Sequence, residues 1–388
     1  MLDALVNGRV LMAGGFEPRR SVLIEHGHIV AVAGDDDPRV KHARVHDLRD
    51  ALLLPGFIDT QVNGGGGVLF NDDPTVEGIR RIGAAHRRYG TTGFLPTLIS
   101  DDLSVVAAAI EAVRAAIAAR VPGVLGIHVE GPFFSEVRKG VHDARRFRGL
   151  DDDIVGLLTS LKTGTTLVTL APEVTTPETL ARLAAGGVIL SAGHSDATCA
   201  EIAVAFRHGL TGFTHLFNAM SPLTGREPGV VGAALDDQAS YCGIIVDGRH
   251  VDPIVLRIAL RAKRHDRFML VTDAMPCVGT EQRSFLLQGR LVTVQDGYCV
   301  DDRGTLAGTA LTMAQAVANA ISLLGLERAE AVRMASEFPA AFLGLGAQLG
   351  RISPGCRANL VSADDTLTVL DTWIDGVRGT VPAAAQLA

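Results

Sequence analysis

An α/β fold, a (β/α)8 TIM-like barrel with a small β-sandwich domain built from both chain termini, is what this sequence predicts. Three observations predict it. Strand-like and helix-like runs alternate through the middle of the chain, and eight of the strand-like runs fit a parallel series. The stretch Val188–Met220 packs strand, helix and strand into so short a span that only a βαβ crossover with parallel strands accommodates it. Both chain ends instead show short strands and turns with no helical period.

The N-terminal strands are Ala4–Val6, Arg9–Met12, Ser21–Glu25 and His28–Ala33, broken at Asn7-Gly8, Gly14-Gly15 and Gly34. At the other end, Ala358–Ser362, Leu367–Leu370 and Thr372–Arg378 surround turns at Pro354-Gly355 and Asp375-Gly376. Neither segment is long enough to bury a core alone. Residues 1–54 and 350–388 are therefore expected to form one small domain, leaving 55–349 for the barrel.

The barrel series opens with Leu52–Thr60, one strand ending near Gln61-Val-Asn63-Gly64, and a helix follows over 75–89. Next come the strand Thr92–Thr97, the Ala-rich helix 103–119, and the strand Val124–Glu130. After a long loop the strand Thr166–Glu173 leads to the βαβ unit, whose helix Ser195 or Asp196 can cap and Gly209 ends. Strands at Tyr241–Gly248 and Phe268–Asp273 complete eight, with helices 252–263 and 312–324 suited to an outer ring. The run Gly64–Gly67 has neither the Gly-Lys-Ser/Thr nor the dinucleotide-binding spacing, so it reads as a flexible loop over the barrel mouth.

Composition narrows the function. With 47% hydrophobic and 20% charged residues the chain is globular, and a formal charge of −7 without a Lys/Arg block argues against nucleic-acid or anionic-membrane partners. No run resembles a signal peptide or a membrane span. Five cysteines without C-x-x-C spacing read as reduced residues of a cytoplasmic protein.

Parallel strands of a barrel put their C-terminal ends on one face, where barrel chemistry is done. The polar residues at those ends are Gln61, Asn63, His128, Glu130, His194, His215, His250 and Asp273. Each histidine alone is as well explained by capping its strand. Two in equivalent places of one βαβ unit favour a shared metal. Glu130, His194 and His215 supply three ligands and leave a fourth position for water, as in a catalytic zinc site. Asp273 is suited to take that water's proton and pass it to a leaving group.

These residues carry a resemblance. Pro55-Gly-Phe-Ile-Asp59, the strand-end histidines and Thr272-Asp273 resemble the amidohydrolase superfamily. Within it the chain is similar to the N-acetylglucosamine-6-phosphate deacetylase family. The motifs are Gln61-x-Asn63-Gly64, His128-x-Glu130-Gly-Pro132, Lys139-Gly-x-His142, Leu170-Ala-Pro-Glu173, Ser191-Ala-Gly-His194-Ser195, Thr214–Met220, Gly225-Arg-Glu-Pro-Gly229, Asp247-Gly-x-His250 and Val271-Thr-Asp-Ala274.

The resemblance implies hydrolysis of the N-acetyl group of N-acetylglucosamine 6-phosphate, with Glu130, His194 and His215 as metal ligands and Gln61 at the edge of that shell. It implies Asp273 as general base and acid, and His142 as donor to the amide oxygen. It also implies Asn218 and Ala219, the latter through its backbone, as sugar contacts. Arg226 and His250 become phosphate binders, one of them crossing the interface of a homodimer. Many superfamily members hold two metals on a His-x-His where this chain has Gln61 and Asn63, so one divalent ion per chain, Zn2+, is expected. The alternative reading is another amidohydrolase reaction, on an N-acyl amino acid or a cyclic amide.

Overall fold

A computed structural model describes residues 1–380. The described residues divide into two compact units: Met1–Asp59, Ala84–Gly93 and those from Thr312 onward form one, and Thr60–Gly83 with Phe94–Leu311 the other.

Within the first unit, strands from both ends of the chain join one eight-stranded sheet. Asp3–Met12 is its hub, antiparallel to Gly15–Glu25 and parallel to Arg44–Asp47 and Leu52–Pro55. Leu360–Ala363 then pairs antiparallel with Leu52–Pro55, which brings the C-terminal strands into the sheet. The pleat alternates sides along the hub: Leu5 packs in a core with Val22, Leu53, Leu360 and Trp373, while Ala4 and Val6 pack with Leu23.

The barrel strands, in chain order, are β1 (Phe57–Val62), β2 (Thr91–Ile99), β3 (Gly126–Glu130), β4 (Thr165–Leu170), β5 (Val188–Ala192), β6 (Leu210–Phe213), β7 (Tyr241–Ile244) and β8 (Phe268–Leu270). They follow one another around the sheet in that order. From β2 to β8 each strand pairs in parallel with the next. A parallel bridge between Val62 and Ala274 brings the last strand end to the first.

Four details depart from the sequence reading. Leu52–Thr60 is not one strand: Leu52–Pro55 belongs to the terminal sheet and β1 starts at Phe57, with Gly56 between them. The βαβ helix, Cys199–Arg207, is capped by neither Ser195 nor Asp196. Thr198 caps it in a reciprocal box with Glu201. Asp196 instead pairs with Arg138, and Ser195 donates to Glu173.

The glycine run is not a free loop either. Gly64–Gly65 and Val68–Leu69 form a buried two-stranded ladder, and the run is pinned by bonds to the carbonyls of Ala274, Pro276 and Val278. A Cβ on Gly64 would lie 2.4 Å from the Val68 carbonyl oxygen, so close backbone approach is what requires glycine there.

Finally, a four-stranded antiparallel sheet spans Ser284–Leu287, Arg290–Gln295, Tyr298–Asp301 and Leu306–Thr309, where the sequence reading had no element. Its last strand is tied to the chain after β8, since the Thr309 amide donates to the Asp273 carbonyl and the Met275 amide to that of Thr309.

Candidate metal centre and active site

The strand ends converge on a cavity of about 450 Å³. Glu130, His142, His194, His215, Asn218, Ala219, His250 and Asp273, all expected from the sequence, line it. Gln61 reaches the same place by donating from Nε2 to Glu130 Oε1 and to Asp273 Oδ1. Arg226 does not join them within the chain, because it lies in an exposed loop. The neighbouring Glu227 directs its carboxylate to the backbone amides of Cys199 and Gly229.

Local backbone aims the side chains. His194, His215 and Asp273 each follow their strand with a left-handed φ, of 50°, 37° and 52°. Such conformations are uncommon for residues with a Cβ and gather at functional sites. Here they swing three side chains off three strands toward the barrel axis. Gly131 follows Glu130 with φ +87°, and a Cβ there would sit 2.3 Å from Ser100 Oγ. The chain can turn away behind Glu130 only through glycine.

Glu130, His194 and His215 are buried, and one donor atom from each lies within 4.8 Å of the others. The His215 Nε2 is 3.0 Å from Glu130 Oε1 and 3.1 Å from His194 Nε2. His194 Nδ1 meets the Arg138 carbonyl at 3.0 Å, and a carbonyl only accepts. The Nδ1 therefore carries the proton and Nε2 keeps its lone pair for the centre. Two imidazoles and a carboxylate around one point form a donor set suited to a divalent cation.

The charges agree with a cation at that point. Burial alone would raise the Glu130 carboxyl, yet the adjacent His194 and His215 imidazoles hold it well below the ordinary range. Burial also opposes charge on His215, and the bond to Glu130 overcomes it and raises its pKa. His194 is lowered, burial outweighing Glu130. The carboxylate is thus kept ionised and draws positive charge to its side.

Around this centre, burial pushes the Asp273 carboxyl up to about 6, with the Glu130 charge adding to it. His142 is lowered by burial and then by His194, so it is neutral near pH 7. Its Nδ1 accepts from the Ser100 amide, at 3.3 Å, which leaves Nε2 as the N–H donor. Phe134 stacks on His194 with centroids 4.4 Å apart. His250 Nδ1 is fixed by Asp247 Oδ2 at 2.6 Å.

The sequence reading missed Arg138, Gly304, Thr305, Leu306 and Gly308, which also line the cavity. The last four come from the inserted sheet. Asp296-Gly297 and Arg303-Gly304 were the turn signals that marked its hairpins.

A parallel (β/α)8 barrel whose strand ends gather two histidines, a glutamate and an aspartate defines the class of metal-dependent barrel hydrolases. The chain belongs to the Amidohydrolase family, which matches it over residues 52–379. It is 47% identical, over 85% of its length and 83% of the relative's, to N-acetylgalactosamine-6-phosphate deacetylase of Shewanella sp. (strain ANA-3). N-acetylglucosamine-6-phosphate deacetylase of Haemophilus influenzae is 37% identical over 85% of this chain and 87% of its own. The crystal structure of N-acetylglucosamine-6-phosphate deacetylase from Pasteurella multocida superposes with a TM-score of 0.94 at 35% identity, covering 98% of this chain and all of that one.

Proposed function

We propose that the protein is a hydrolase that removes the N-acetyl group of N-acetyl-D-glucosamine 6-phosphate, giving D-glucosamine 6-phosphate and acetate. One observation carries this reading. Glu130, His194 and His215 converge on a single point beside Asp273, in a chain that aligns over most of its length with deacetylases of hexosamine 6-phosphates.

Glu130, His194 and His215 would hold one Zn2+ ion, with the Gln61 amide at its edge. A dication there supplies Lewis acidity to the amide carbonyl and lowers the pKa of water. Asp273 accepts the proton of the attacking water and returns it to the amide nitrogen as the C–N bond breaks. His142 donates from Nε2 to the carbonyl oxygen as that atom gains negative charge.

Asn218 and the Ala219 backbone contact the sugar. His250, braced by Asp247, and Arg226 bind the phosphate, the Arg as a planar fork. The exposure of Arg226 supports its crossing into a second subunit's site in a homodimer, while His250 serves its own chain. Five free cysteines support a cytoplasmic setting. Among the described residues no helix is long and apolar enough to cross a membrane.

A second reading rests on the 47% identity to the Shewanella enzyme, whose name carries the galacto epimer. Acetate release from both 6-phosphates, beside unphosphorylated N-acetylglucosamine, tests the two. The gluco substrate is expected to be hydrolysed with the higher kcat/KM of the phosphosugars. A higher value for the galacto epimer would transfer the assignment. Inactivity on both, with turnover of a cyclic amide or an N-acyl amino acid, would replace it with another amidohydrolase reaction.

A further inference from the structure

One layer deeper in the strands than the candidate ligands, a line of polar side chains runs through the barrel. The Val62 amide donates to Thr97 Oγ1 at 2.9 Å, and that hydroxyl meets His128 Nδ1 at 3.1 Å. His128 Nε2 meets Thr169 Oγ1 at 2.7 Å, Thr169 meets Thr214 Oγ1 at 2.7 Å, and Thr214 meets Ser191 Oγ at 2.7 Å. Each of these side chains is buried. Barrel interiors of this kind are ordinarily filled with branched apolar residues. A polar layer needs a reason, because any unmatched member is costly to bury.

Its reason lies in which strands it joins. β3 carries His128 two residues before Glu130, β5 carries Ser191 three before His194, and Thr214 directly follows β6 and precedes His215. Thr169 on β4 is the bridge between the first of these and the other two. None of the five side chains is among the groups that would touch substrate or ion.

We propose that the belt Thr97–His128–Thr169–Thr214–Ser191 is a positioning device that sets the three ligand-bearing strands for the metal before the metal binds. It rests on the reading that Glu130, His194 and His215 hold that metal. A hydroxyl and an imidazole accept bonds along narrow directions, so the belt fixes the offset between strands more sharply than apolar packing does. A donor set gathered in advance spares the ion the work of ordering it, and supports behind metal ligands typically change affinity by about 10–100-fold.

Thr169→Val keeps the shape but removes the hydroxyl that joins His128 to Thr214, whereas Thr169→Ser keeps that hydroxyl. Zn2+ affinity would be measured by competition with a chromophoric chelator, and ligand geometry by the visible spectrum of the Co2+-loaded protein. The melting temperature of the metal-free chain would be recorded beside them. The Val variant is expected to bind Zn2+ about tenfold or more weakly and to show an altered Co2+ spectrum, and the Ser variant to match the parent. Ser191→Ala, at the end of the belt, should move both readouts the same way and serves if the Val variant does not fold.

Parental affinity and spectrum in Thr169→Val or Ser191→Ala, with only a lower melting temperature, would overturn the proposal. So would a loss in the Val variant that Ser does not restore. His194→Asn separates the two levels. If it abolishes binding while Thr169→Val does not, the belt's role alone falls. A parent chain that holds no dication removes the metal reading and the belt's role together.

Discussion

Asn63 donates from Nδ2 to Oδ1 of Asp273 at 2.6 Å, joining the end of the first barrel strand to the end of the last. Gln61 donates to the same oxygen at 3.2 Å. Burial and then the Glu130 charge push this carboxyl up to about 6, against the pull of the Asn63 bond. Only the ionised form accepts a proton, so kcat/KM should fall as pH drops through the Asp273 pKa. A dication nearby favours the carboxylate, so the acid limb should lie below about 6. Asn63→Ala removes a bond to the charged form and should move that limb to higher pH. Rate profiles of the two proteins check this, and an unmoved limb would detach Asn63 from the titration.

Asp273→Asn keeps the shape of the side chain and cannot accept a proton. Metal content and substrate binding should survive while kcat falls by about 10² or more. Single-turnover rates measured beside elemental analysis separate the two effects. Turnover near the parental rate would leave Asp273 a structural cap.

Purified protein should hold about one divalent ion per chain, because among the described residues Glu130, His194 and His215 form the one such donor set. His194→Asn should lose both ion and activity. Two tightly held ions per chain would be incompatible with the single-site reading.

Arg226→Ala should lower kcat/KM for the 6-phosphate by about tenfold to a hundredfold, the range of a charge-assisted bond. Activity on the unphosphorylated sugar should barely change. Equal losses on both substrates would remove the phosphate role. Arg226 lies in an exposed loop, so in the proposed homodimer mixing Arg226→Ala with Asp273→Asn chains should restore activity in a fraction of the molecules.

The alternation of strands and helices was legible in the sequence because short, continuous apolar runs alternate with segments of period 3.6. So were the positions of Glu130, His194, His215 and Asp273, because each ends or closely follows an apolar strand and parallel strands end on one face. Local chemistry in the sequence also offered two caps for the helix Cys199–Arg207. Tertiary contacts took Ser195 to Glu173 and Asp196 to Arg138, and left capping to Thr198. The break at Gly56 was hidden because a single residue separates Leu52–Pro55 from Phe57–Val62, and only pairing assigns them to different sheets.

By itself, then, the sequence determined the barrel and which residue types stand at its mouth, since both follow from patterns along the chain. Only the tertiary structure decided the left-handed turns that aim His194, His215 and Asp273, the pinned Gly64–Gly67 ladder and the inserted sheet that walls the cavity. It alone decided the belt from Thr97 to Ser191 as well. These rest on contacts between segments far apart in the chain, and no local periodicity records who meets whom across a barrel.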